Sequence, residues 1–202
     1  MKAGRSFRGL VLVLALALIV GVAGGATFAW LTAKTDPVVN TFTYGDINIT
    51  LAENTGSDYK IIPGVDIEKD PLVTVKAGSE ACWLFVKVEE KNWPEFADGE
   101  GENTVRKVNY GIADGWMKGD GTSIPANVYY REVAANNADQ EFPVLKDNKI
   151  TVSNTLTKID IKGLSATPKL SITAYAIQKD GMDNAEKAWA AIPDTTTGTT
   201  QP

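Results

Sequence analysis

Between roughly residue 47 and residue 178, hydrophobic and polar side chains alternate with a period of two, in short runs separated by Gly, Pro, Asn and Asp. The clearest run begins at Cys82: Cys82, Leu84, Val86 and Val88 share one face, and Trp83, Phe85, Lys87 and Glu89 share the other. Leu170, Ile172, Ala174 and Ala176 alternate in the same way with Ser171, Thr173 and Tyr175, and Ile47, Ile49 and Leu51 with Asn48 and Thr50. Weaker runs at 72–76, 127–133, 149–153 and 157–161 complete a set of seven strands, enough for two packed sheets. The pattern predicts an all-β fold, an antiparallel β-sandwich with the Cys82 face turned to the core.

One segment changes period. Ala185, Ala188, Trp189 and Ile192 fall on a single stripe at helical spacing, Asp183 precedes them as a cap with Glu186 in the capping-box position, and Pro193 ends the run. This short C-terminal helix is expected to cover an open end or edge of the sandwich with Trp189. Residues 92–121 carry Gly99, Gly101, Gly111, Gly115, Gly119 and Gly121 among acids and amides, and predict long loops with one short strand around 105–110. Residues 194–202 are a polar, Thr-rich tail, so the sandwich domain is expected over 44–193.

Upstream of the strands the pattern differs again. Lys2, Arg5 and Arg8 precede an apolar run from Leu10 to Val22, followed by Gly24-Gly25-Ala26-Thr27-Phe28-Ala29-Trp30. This is the order of a secretory signal over residues 1–29, with cleavage after Ala29, and with Ala26 and Ala33 as alternatives. A retained anchor is the competing reading, because no charge lies between Arg8 and Lys34. Contact with a membrane is expected only through the uncleaved signal.

Length and composition narrow the function. The 202 residues are 44% hydrophobic and 22% charged, which suits one folded domain. There is no histidine, which removes Ser-His-Asp and Cys-His relays and HExxH zinc sites, and the single cysteine, Cys82, excludes an internal disulfide. On the apolar strand face Cys82 reads as an inert buried thiol. The formal charge of −5 becomes more negative when Lys2, Arg5 and Arg8 leave with the signal, so no nucleic-acid partner is expected. Asp98-Gly99-Glu100-Gly101-Glu102-Asn103 offers oxygen ligands for calcium, although a solvated acidic loop has the same composition. Trp116, in an acidic turn, reads either as a sugar-stacking face or as a loop anchor. Trp83 and Phe85 lie together on the second face of their strand, beneath a helix or loop or at an interface. Glu89 and Glu90 point to opposite faces and cannot act as one acid–base pair. No catalytic, cofactor or metal residue is assigned, and the expectation is a protein that is not an enzyme.

Several blocks carry a family resemblance. Gly24 to Trp30, followed by Asn40-Thr41-Phe42-Thr43-Tyr44-Gly45-Asp46-Ile47-Asn48-Ile49, resembles the N-terminal region of the TasA/camelysin group of exported proteins of Gram-positive bacteria. Ile62-Pro63-Gly64, Lys69-Asp70-Pro71, Gly78-Ser79-Glu80 with Trp83 to Val88, and Ile172 to Gln178 with the following Ala-Glu-Lys-Ala-Trp are similar to the same group. The resemblance implies a jelly-roll-like β-sandwich, processing by a SipW-type signal peptidase, and a secreted subunit of extracellular matrix fibres or of the cell surface. It also implies that the freed N-terminal segment adds a strand to the next copy in a head-to-tail homopolymer. Some relatives carry a metalloprotease label, to which a chain without histidine gives no support; bulky Trp30-Leu31 near the cut departs from the pattern. Independently of the resemblance, an open sheet edge invites strand addition, and a repeated head-to-tail contact gives a filament. The expected donor is the extended segment 30–43, with Trp30, Leu31, Val38, Val39 and Phe42 as its apolar residues. The alternative from another class is a monomeric cell-surface carbohydrate-binding module using Trp116 and the acidic loops.

Overall fold

The structure is a computed structural model and describes residues 32–34, 41–44, 46–55, 58–93, 96–99, 104–157, 160–161 and 168–192. In chain order the strands are β1 (Thr32–Lys34), β2 (Thr41–Tyr44), β3 (Ile49–Ala52), β4 (Asp58–Lys60), β5 (Ile67–Glu68), β6 (Leu72–Val75) and β7 (Cys82–Lys91). They continue with β8 (Ala97–Asp98), β9 (Val105–Arg106), β10 (Val108–Asn109), β11 (Met117–Lys118), β12 (Val128–Val133), β13 (Gln140–Pro143), β14 (Lys149–Val152) and β15 (Lys169–Gln178). The helix α1 (Ala185–Ala191) follows.

Two sheets face each other, and the all-β sandwich expected from the alternation is the fold. The first sheet has the order β11-β12-β7-β15-β2. Its centre is the antiparallel pair β7–β15, in register from Cys82↔Gln178 to Lys91↔Lys169. The second layer begins as β13-β6-β3 and continues as β10-β14-β5. The two parts join where Val144 N–H donates to Pro71 O at 3.0 Å and Lys69 N–H to Asn148 O at 2.8 Å. The bend falls at a 3₁₀ turn, Lys146–Asn148, where Asp147 and Asn148 take φ of 55° and 51°. Asp and Asn are the residue types other than glycine that tolerate this region best. The main core lies between the layers and holds Cys82, Leu84, Val86 and Val88 against Ile49, Val73, Val75, Val144 and Leu145.

The other face of the first sheet is covered too. Trp83, Phe85, Val128, Tyr175 and Ile177 form a second apolar layer against Ala185 and Ala188 of α1. The Phe85 and Trp189 ring centroids are 5.3 Å apart, and Trp83 Nε1 donates to Met182 O at 3.1 Å. Trp83 and Phe85 therefore lie beneath the helix, and the helix covers a sheet face rather than the end or edge expected for it. Its cap also differs: Asn184, not Asp183, is the N-cap, its Oδ1 accepting from Lys187 N–H at 2.9 Å, while Asp183 pairs with Lys187 Nζ at 3.2 Å. The amide oxygen of Asn184 reaches the backbone N–H three residues on, and this moves the start of the helix by one position.

The run at 157–161 is not a strand in its described part. Asp160 accepts from Thr157 N–H at 2.8 Å, Thr157 Oγ1 accepts from Asp160 N–H at 3.2 Å, and Ile161 N–H reaches Thr157 O at 3.2 Å. Reciprocal side-chain capping turns the backbone helically there. The single strand expected around 105–110 is two short ones, β9 and β10. They pair with different partners, β8 and β14.

Candidate functional site

The chain passes between the two layers several times, and at two of these corners it joins edge strands of the two layers. At the first, β2 belongs to the first sheet and β3 to the second. At the second, β10 belongs to the second sheet and β11 to the first. Each corner closes one open side of the sandwich, and the two are closed by different means.

At the first corner, β2 runs along the edge of β15 with Thr41↔Ala174, Phe42↔Tyr175, Thr43↔Ala176 and Tyr44↔Ile177 in register. This pairing is parallel, whereas the other strand pairs among the described residues are antiparallel. The edge that β2 covers is deeply placed: Ala174 is 0%, Ala176 4% and Ile177 2% exposed. Without β2, the outward N–H and C=O groups of that stretch lose their partners. The chain just after β2 is fixed. Asn48 N–H donates to Ser79 Oγ at 3.1 Å, Asn48 O accepts from Lys76 N–H at 2.8 Å, Glu80 N–H donates to Asp46 O at 3.4 Å, and Ile47 is buried. β2 thus ends two positions before a firm anchor at Asp46.

A second contact lies further upstream. β1 pairs antiparallel with β4 as Thr32↔Lys60, Ala33↔Tyr59 and Lys34↔Asp58, a two-stranded sheet apart from the two layers. Of the residues assigned to the donor segment, Phe42 has the backbone position in β2 given above; Trp30, Leu31, Val38 and Val39, and the cleavage residue Ala29, lie outside the described residues. Sequence reasoning missed β1 and β4. Asp58, Tyr59 and Lys60 show no alternation that marks a strand, and only the facing segment 32–34 reveals one.

At the second corner, side chains and backbone of the chain interior do the closing. Ala113 N–H donates to Val144 O at 2.9 Å and Lys146 N–H to Gly111 O at 3.0 Å, so 111–113 bridges to 144–146. Trp116 Nε1 donates to Pro143 O at 2.9 Å. The Arg131 guanidinium carbon lies 4.2 Å from the Phe142 ring centroid and 5.5 Å from that of Trp116. Burial lowers the Arg131 pKa from its ordinary value, and its Nε has no hydrogen-bond partner. Gly115, at φ +86°, fits under this cation, since a Cβ there would come within 3.2 Å of Nη2. Trp116 is accordingly a seam residue, with its indole N–H engaged and the guanidinium above its ring.

The remaining candidates have structural partners. Asp98 accepts from the Thr155 hydroxyl and lies 3.6 Å from Lys107 Nζ, which also meets Asp160 at 3.3 Å. Residues 100–103 of the acidic run lie outside the described residues. Among the described residues no group of three or more His, Cys, Asp or Glu could hold a metal ion. Glu89 pairs with Lys87 and Glu90 with Arg106, each at 2.8 Å. Cys82 is fully buried, and burial pushes its thiol up to about 11, far from a reactive thiolate at neutral pH. Among the described residues no helix is long and apolar enough to cross a membrane; residues 1–31 lie outside them.

Compared with known proteins, the chain finds no matching family model, no matching curated protein and no matching solved structure.

Proposed function

We propose that this chain is an exported, non-enzymatic structural subunit of extracellular matrix fibres, in which the N-terminal strand of one copy fills the sheet edge of the next. The observation that carries the reading is the parallel pairing of Thr41–Tyr44 on β15: a four-residue strand from the start of the folded chain completes the main sheet. A strand so short, which joins the two layers through its C-terminal end, can be replaced by the same strand of a neighbour in the same register. Each copy then gives one strand and receives one, and the contact does not close on itself, so the product is a filament.

Occupation of the edge by the chain's own strand sets a competition. A strand tethered by a short link acts at an effective concentration of about millimolar. Exchange between copies adds no new strand contact, so growth needs a high local concentration or additional contacts between domains. Retention of the segment next to an uncleaved signal supplies a means of control, with polymerisation following cleavage.

Electron microscopy of the purified mature protein tests the reading. Ordered fibres are expected from the chain beginning near Trp30, and only monomers from a chain that begins at residue 45. Fibres of normal yield from the shortened chain would overturn donor-strand assembly.

A further inference from the structure

We infer that β4 is a second acceptor, and that an arm donated between copies docks at two places on the recipient: residues 41–44 on β15 and residues 32–34 on Asp58–Lys60. The inference rests on the fibre reading above and extends it to a surface that reading does not need. Three observations lead to it. Among the described residues, β1 is the strand that pairs with β4, and a two-stranded ribbon standing alone is marginal in water, so β4 is held as a strand by whatever lies along it. Next, β1 and β2 lie on the same side of the anchor. That anchor is at Asp46 and Asn48, after β2, so release at residue 45 frees both β2 and β1. Finally, six residues separate Lys34 from Thr41, and a chain of that length reaches about 25 Å at most. A copy that lends β2 to its neighbour therefore carries β1 away with it, and empties its β15 edge and its β4 edge together.

In a repeating polymer the incoming arm refills both edges. The exchanged pairing keeps the register Thr32↔Lys60, Ala33↔Tyr59 and Lys34↔Asp58. Two linked contacts hold far better than either alone, because the second forms within one complex. The partner at Asp58–Lys60 is thus a second copy of this chain, through its residues 32–34.

Cysteine trapping in the mature, full-length chain tests this. Copies carrying Ala33→Cys are mixed with copies carrying Tyr59→Cys, allowed to assemble, and oxidised; Cys82 is buried and stays silent. Covalent dimers that need both variants, and whose yield rises with assembly, are expected. Lys34→Cys with Asp58→Cys repeats the measurement one position along, in case Tyr59→Cys disturbs the fold. Thr43→Cys with Ala176→Cys, on separate copies, reports the β15 contact alone. If this last mixture crosslinks between copies while both β4 pairs link only when placed within one chain, the second acceptor is overturned and strand donation stands. If fibres form and no mixture links separate copies, or if no fibres form, both readings fall.

Discussion

Two corners at which edge strands pass from one sheet to the other, β2 to β3 and β10 to β11, solve the same problem with different materials. Each must cover the side of a sandwich whose edge backbone groups are otherwise unpaired. The corner between β10 and β11 does so from the chain interior, with the 111–113 bridge, the Trp116 N–H on Pro143 and the Arg131 guanidinium against Phe142 and Trp116. The corner between β2 and β3 uses a strand near the chain start, held by backbone pairing on β15 and joined to the second layer just after it ends. The first cannot be exchanged without unfolding the domain. The second is the corner on which the proposed strand donation rests.

Removing residues 30–44 separates the corners most sharply. Loss of ordered fibres by electron microscopy is expected, with the circular dichroism of a folded sandwich retained. Next in size is the ion pair at the far end of β3, where Lys69 Nζ lies 2.7 Å from Glu53 Oε1 and both side chains are less than a tenth exposed. Glu53→Ala takes the carboxylate away from a buried ammonium and should lower the unfolding free energy by about 3–5 kcal/mol, whereas the apolar pair Glu53→Leu with Lys69→Met should be near neutral. Denaturant titration measures both, and a mild effect of Glu53→Ala would show that β3 is not pinned there. At the fixed corner, Arg131→Ala should cost about 1–2 kcal/mol through the lost cation–π contact, with fibres still forming. Arg131→Met should cost less, because it keeps an unbranched stem between the rings and removes the unpartnered Nε.

Acid has the smallest expected effect. Asp120, in the turn after β11, is lowered by the backbone N–H groups of Ile124 and Thr122, against a weaker opposing effect of burial, and further by that of Ser123. Asp160 is lowered by the Thr157 N–H, again against burial. A carboxylate with a lowered folded pKa contributes stability that is present above the unfolded value and lost as pH falls through the folded one. With no histidine in the chain, thermal stability should be flat from about pH 5 to 8 and decline below about pH 4. A transition near pH 6 would contradict this.

The parts of this architecture that were legible in the sequence are those that one strand or helix decides for itself. The faces of β7 and β15 follow from alternation because both strands are long and buried, and the α1 stripe follows from its period. Position in the fold was less legible. Trp189 marks α1 as apolar on one side but does not say whether a sheet face or an edge receives it. At 157–161 a local Thr157–Asp160 cap overrides an alternating pattern. The site was legible in half: the segment 30–43 reads as extended and apolar, yet its parallel register on β15 is set by residues more than a hundred positions away. The polar strand β4 carries no hydrophobic signal at all.

The central pair also sets an order in time. β7 and β15 meet across roughly half the chain, so their pairing is a non-local contact of the kind that forms slowly. A chain emerging from its N-terminus has its arm ready first, and the edge that receives the arm is among the last parts to appear. Until β15 is delivered, the main sheet has no centre, α1 has no floor, and β2 has nowhere to lie. The sandwich therefore completes only when β15 arrives, and a chain cut short before Lys169 retains an arm with no edge to close on.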